Sequence, residues 1–255
     1  MSNLSPKHQI LTRQDGTSIA YNRLAGKSLG VVFLGGFMSD MTGSKAMALE
    51  MHCKQRGQAF LRFDYSGHGQ SSGAFHEGTI SKWTDDAIFA IEQLCDGPQI
   101  LVGSSMGGWI MMLVTLRLQQ KISGLIGLAA APDFTQDLIV KKLDDEQRID
   151  LQRNGFINMP CDYDDQPYMI TQALIDDGRK NLLLKNSINI TQPVRLIQGL
   201  KDQDVPWATA LRIQEQLIGD NVETILVKNG DHRLSGPQDL SRLTKTLDLL
   251  LNELS

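Results

Sequence analysis

Gln99-Ile-Leu-Val-Gly-Ser-Ser-Met-Gly-Gly-Trp109 is the stretch on which the architecture turns. Ile100 to Val102 is an unbroken apolar run, as expected of a strand buried on both faces. Gly107 to Gln119 follows with helical spacing. Between them Gly103-Ser104-Ser105-Met106-Gly107 fits the frame G-x-S-x-G. A serine on so sharp a strand-to-helix turn exposes its hydroxyl at the carboxyl edge of a sheet. The flanking glycines remove Cβ atoms that the bend has no room for. The N–H of Met106 then opens a helix, where the aligned backbone dipoles favour negative charge. A glycine-rich turn that only packs helix on strand is the plain alternative. The strand before and the helix after favour Ser105 as a candidate nucleophile.

Outward from this stretch the chain alternates strands and helices. Asp15-Gly16 divides two alternating segments in Gln9 to Leu24, which predicts a β-hairpin. Strands are expected at Val31 to Gly36, Ala59 to Asp64, Gly124 to Ala131, Pro193 to Gly199 and Glu223 to Lys228. Helices are expected at Ser44 to Gln55, Thr79 to Leu94, Ala208 to Leu217 and Asp239 to Leu250. This order predicts right-handed βαβ units, hence an α/β fold with a mostly parallel central sheet and helices on both faces. Residues 132–187 break the pattern and read as a small helical cap insertion. The core is then 1–131 and 188–255. Within the insertion, DLIVKKLDDEQRIDLQ reads as one amphipathic helix and NMPCDYDDQPY as a loop. A second helix is expected near Met169 to Asp177.

A serine at such a turn needs a base and an acid, which in this arrangement follow it as Ser, acid, His. His232 is the one histidine after Ser105. It sits in KNGDHRLS, after a predicted strand and before the last helix, where a loop overhangs the ligand-binding edge of a parallel sheet. Of the four earlier histidines, His68 in SGHGQSS is the one expected to approach the site. The acid should follow the preceding strand, where GLKDQDVPW offers Asp202 and Asp204. Asp202 fits the frame G-x-x-D-x-x-V-P, and Asp204 is the alternative. Gly35-Gly36-Phe37-Met38 follows another strand, so the N–H of Phe37 is a candidate oxyanion donor beside that of Met106.

Composition excludes several classes. The 255 residues are 41% hydrophobic and 21% charged, with a net charge of −4, so one ordinary globular core is expected. There is no basic surplus to neutralise phosphates, so nucleic acid is not an expected partner. Cys53, Cys95 and Cys161 lack metal-ligand spacing and form no disulfide framework. Neither a metal nor an organic cofactor is expected. MSNLSPKHQ holds no apolar core and no Arg-rich stretch, so no targeting peptide is expected. No apolar run is long enough for a transmembrane segment. A cytoplasmic protein follows as the expectation. The oligomeric state is not readable.

Four segments carry a resemblance: RFDYSGHGQSSG (62–73), GPQILVGSSMGGW (97–109), GLKDQDVPW (199–207) and DHR (231–233). They closely resemble the α/β-hydrolase family of the mitochondrial palmitoyl-protein thioesterase that also acts as an acyl-glucuronide esterase. The likeness extends over most of the chain from about Phe33 onward, and the N-terminus suggests a bacterial relative. It implies an α/β-hydrolase fold and a small-molecule ester or thioester as substrate. It also implies Ser105 as nucleophile, Asp202 as acid and His232 as base, which agrees with the placement above. A serine peptidase, a perhydrolase or a non-catalytic binding module are the alternatives on such a scaffold. For an acyl pocket the candidates are Met38, Phe156, Met159, Tyr163, Tyr168 and Met169, although they could equally form the insertion's own core. Arg153, Arg179 and Lys180 could meet a substrate carboxylate, but a solvated face is the simpler account of them.

Overall fold

A computed structural model describes residues 8–159 and 167–255. The chain opens with β1 (Gln9–Thr12), β2 (Ser18–Leu24) and β3 (Lys27–Leu34). Next come α1 (Ser44–Arg56), β4 (Gln58–Phe63), α2 (Ile80–Leu94), β5 (Gln99–Ser104), α3 (Met106–Arg117) and β6 (Ile122–Leu128). After β6 the chain leaves the sheet for α4 (Asp145–Asn154), β7 (Phe156–Met159), β8 (Tyr168–Thr171) and α5 (Gln172–Lys180). It returns with β9 (Val194–Gly199), α6 (Ala208–Gln216), β10 (Val222–Val227) and α7 (Pro237–Glu253).

Eight strands form one sheet in the order β1-β2-β4-β3-β5-β6-β9-β10. β1, β2 and β4 pair antiparallel, while every pairing from β4 to β10 is parallel. The reason lies in side-chain alternation. Val32, Leu34 and Leu101 point to one face and pack with Trp83, Trp109 and Ile110 from α2 and α3. Val31, Phe33, Ile100 and Val102 point to the other and pack with Leu49 and Cys53 of α1 and Leu243, Leu247 and Leu250 of α7. Both faces are apolar, so burial on both sides is the stable solution, each large side chain contributing ~2–3 kcal/mol. No helix among the described residues is long and apolar enough to cross a membrane.

Two expectations fail between β6 and β9. The stretch read as one amphipathic helix is broken. Thr135–Ile139 winds as a wide π turn, Val140–Lys142 as a tight 3-10 turn, and α4 starts afresh at Asp145. The cause is Asp144, whose carboxylate accepts from the N–H of Gln147 while the Gln147 side chain accepts from the N–H of Asp144. This reciprocal cap starts a new helix at that point. The later helix begins at Gln172, not near Met169, because Thr171 caps it by accepting from the N–H of Leu174. Residues 168–171 instead pair antiparallel with β7. Tyr163 and Cys161 lie outside the described residues. The two ends of this segment are tied by buried Asp133, which accepts from the N–H groups of Leu183 and Leu184 at 2.8 and 2.9 Å.

Candidate active site

Ser105 stands between β5 and α3 at φ 53°, ψ −119°, a backbone conformation that few non-glycine residues adopt. Such strain costs about 1–3 kcal/mol and must be held by its surroundings. Here the N–H of Ser105 donates to the Leu128 carbonyl, and the Ser105 carbonyl accepts from Gly108 and Ala131. The glycines of the motif are steric requirements. A Cβ on Gly103 would lie 2.4 Å from the Gly107 carbonyl oxygen, and one on Gly107 only 2.1 Å from that of Leu34.

Three chain segments meet at this turn. His232 reaches it from the loop between β10 and α7, with Nε2 3.1 Å from the Ser105 hydroxyl. Its Nδ1 lies 2.9 Å from Oδ2 of Asp202, which follows β9. A carboxylate can only accept, so Nδ1 carries the hydrogen and Nε2 is left to accept from the serine. The Asp202 side chain is fully buried, that of His232 15% exposed. Oδ1 of Asp202 accepts from the N–H groups of Asp204 and Val205 at 3.0 and 2.8 Å. Of the two candidate carboxylates, that of Asp202 faces the imidazole and closes the turn. Donor atoms of Asp202, Asp204 and His232 cluster within 4.8 Å. Both oxygens of Asp202 accept N–H groups.

Close backbone approach holds the two outer loops together. A Cβ on Gly199 would sit 2.3 Å from the Gly230 carbonyl oxygen, and the N–H of Lys201 donates to that same carbonyl. Asp231 accepts from the N–H of Leu234 and closes the turn around His232. Lys45 donates to the Arg233 carbonyl, and burial pushes its amine down to about 8.

The loop after β3 forms the opposite wall. Gly36 approaches so closely that a Cβ there would lie 3.4 Å from the Cβ of Ser105. Buried charges hold this loop at Met41: Asp64 accepts from its N–H at 2.6 Å, and Arg62 donates to its carbonyl at 2.9 Å. The N–H of Phe37 has no backbone acceptor among the described residues. As first residue of α3, Met106 has no intrahelical acceptor for its own. The Phe37 ring meets Phe75, Trp83, Phe134 and Tyr168 edge-on at 4.8 to 5.9 Å between centroids.

A cleft of about 740 Å³ opens over Ser105 and His232. Of the expected pocket residues, Met38, Met159 and Tyr168 line it, whereas Phe156 and Met169 do not. Strand periodicity explains the split. Met159 pairs with Tyr168 and Ile157 with Ile170 on the side facing the cleft, while Phe156 pairs with Thr171 and Asn158 with Met169 on the other side. Ile170, Leu138 and Ile139 line the cleft and were not anticipated, since an apolar residue carries no mark of which face it will take. Arg153, Arg179 and Lys180 are not in its walls, but Lys45, Lys142 and Arg233 are. His68 does not line it either. It is buried against Tyr65, Phe75 and Trp83, and burial pushes its imidazole down to about 4.

Residues 29–146 match the family model described as serine aminopeptidase, S33. The chain is 40% identical over 249 residues to the bovine palmitoyl-protein thioesterase ABHD10, mitochondrial, covering 96% of this chain and 80% of the relative. Among solved structures it is similar to a hydrolase from Agrobacterium vitis S4, with TM-score 0.92 and 39% identity over 96% of this chain and 98% of the other. The mouse α/β hydrolase domain-containing protein 10 gives TM-score 0.91 and 37% identity over 98% and 100% of the two chains. The relatives are named as mitochondrial, which overturns the expectation of a cytoplasmic protein drawn from the first residues.

Proposed function

Because the chain belongs to the α/β-hydrolase family of palmitoyl-protein thioesterase ABHD10, we propose that it cleaves carboxylic esters or acyl thioesters through an acyl-enzyme on Ser105. The hydrogen-bonded series from Ser105 through His232 to Asp202, at 3.1 and 2.9 Å, carries this reading.

In the proposed reaction His232 takes the Ser105 proton as the hydroxyl attacks the acyl carbon. The negative oxygen that forms lies against the N–H groups of Phe37 and Met106. Each such donor contributes about 3 kcal/mol to the transition state. His232 then gives that proton to the departing alkoxide or thiolate, which leaves as the alcohol or thiol, and the imidazole is neutral again. Water activated by the same imidazole releases the acid. Buried Asp202 keeps the imidazole in the required tautomer and stabilises its protonated form. The segment 132–187 serves as a cap: Leu138, Ile139, Met159 and Ile170 give the acyl chain an apolar wall.

A fluorophosphonate probe tests the nucleophile. It should label the wild type and leave Ser105→Ala unlabelled; labelling of both would refute the assignment. The matched family model is described by a peptidase, which favours a second reading as an aminopeptidase. Turnover of acyl esters, acyl thioesters and aminoacyl amides in parallel separates the two, and faster cleavage of the amides would favour the peptidase.

A further inference from the structure

Gln198 lies near the end of β9, the strand that leads to Asp202, and is only 1% exposed. Its neighbours Leu196 and Ile197 are equally buried. A polar side chain at such a place must justify its loss of water. Its amide nitrogen donates to Oδ2 of Asp202 at 2.9 Å, with the carbonyls of Val205 and Gly199 further off at 3.3 and 3.4 Å. Its amide oxygen is buried with no hydrogen-bond partner. An apolar residue of the same length would avoid that orphaned acceptor. The position therefore costs stability, and the compensation is concentrated at one atom, the oxygen that Asp202 presents to His232.

We propose that Gln198 is a positioning residue for catalysis, holding Oδ2 of Asp202 in line with the His232 ring and sharing its negative charge. This rests on the reading of Asp202 and His232 given above. With Gln198 in place the carboxylate accepts four N–H groups: Asp204 and Val205 on Oδ1, Gln198 and His232 on Oδ2. Without it, Oδ2 keeps the imidazole as its single donor, while Oδ1 stays held by Asp204 and Val205. The ring is then less well aligned, and the less shared charge holds an imidazolium more tightly. The other charges about this ring are Asp204, Asp231, Arg233 and, through the Arg233 carbonyl, Lys45. Substitution at 198 alters none of them.

Gln198→Met keeps length and burial but removes the donor. It should lower kcat about tenfold with KM within twofold. The acidic limb of kcat/KM should move up by about half to one pH unit, and the melting temperature should stay level or rise. Gln198→Glu turns the donor into an acceptor. It should be weaker than the Met variant at pH 8, with the gap closing towards pH 5 as the new carboxyl gains a proton and can donate. A merely structural role predicts a lowered melting temperature and equal losses at every pH. A Met variant with wild-type kcat and an unmoved limb would overturn the proposal. If it fails to fold, the isosteric Glu variant decides by its pH dependence. Ser105→Ala is the control. An active Ser105→Ala refutes the serine mechanism itself, whereas an inactive one beside a fully active Gln198→Met refutes only the role of Gln198.

Discussion

The two walls of the cleft are built on different rules. The rim around Ser105 is backbone against backbone: glycines at 103, 107 and 199 bring chain segments closer than a Cβ allows, and Gly36 and Gly230 pack tightly beside them. The insertion wall is side chain against side chain, with Leu138, Ile139, Met159, Tyr168 and Ile170 covering the cleft through apolar contact. Close backbone approach tolerates one residue type at one position. Apolar contact tolerates many, so long as the correct side of a strand or turn is covered. In the proposed reaction the rim supplies the chemistry and the insertion the selectivity, and that division can be attacked from both sides.

The largest effect belongs to the rim. Asp202→Asn leaves the shape intact but can donate to the imidazole and so favours the wrong tautomer, and kcat should fall about 10³–10⁴-fold. Steady-state kinetics with a p-nitrophenyl ester checks this, and a loss under tenfold would remove Asp202 from the role. Gly107→Ala comes next. Its Cβ would meet the carbonyl oxygens of Leu34 and Gly35 at 2.1 and 2.5 Å, so stability should fall by about 3 kcal/mol in denaturant unfolding.

His68 tests the seam beneath both walls, where Phe75 and Trp83 touch it and Phe37 alike. Folded, its imidazole stays neutral down to about 4, against an ordinary 6.5. Between these values the unfolded chain binds a proton that the folded one does not. The stability tied to His68 is thus present above pH 6.5 and lost as pH falls towards 4, by roughly 3 kcal/mol in all. Unfolding of wild type and His68→Phe at several pH values should show the variant gaining on the wild type by that amount. Parallel curves would discard the effect.

The smallest effects lie in the insertion. Met159→Ala and Ile170→Ala should shift the preference between short and long acyl chains by roughly tenfold. Phe156→Ser, on the outer side of the same hairpin, should change kinetics by less than about twofold. Equal effects at 156 and 170 would mean that strand sidedness does not define the pocket.

Much of the rim was legible because tight turns demand particular residues at particular spacings. G-x-S-x-G marked residue 105, and the position of His232 after a predicted strand marked the histidine that the structure brings to it. The strands of the sheet were legible for a related reason: burial on both faces leaves unbroken apolar runs. The insertion was less so. The break at Asp144 is a local side-chain cap that overrides helical periodicity, and the pairing of β7 with β8 joins segments that looked like a loop and a helix. Gln198 left one faint mark, a glutamine ending the otherwise apolar Leu196-Ile197.

From its sequence alone this protein declared where its chain must bend and which polar groups those bends expose, because local sterics act between neighbours. Which side of the hairpin faces the cleft, what Phe37 packs against and which oxygen of Asp202 Gln198 reaches were decided only by the tertiary structure. Those contacts join segments distant in the chain, and no residue type encodes the partner it will meet.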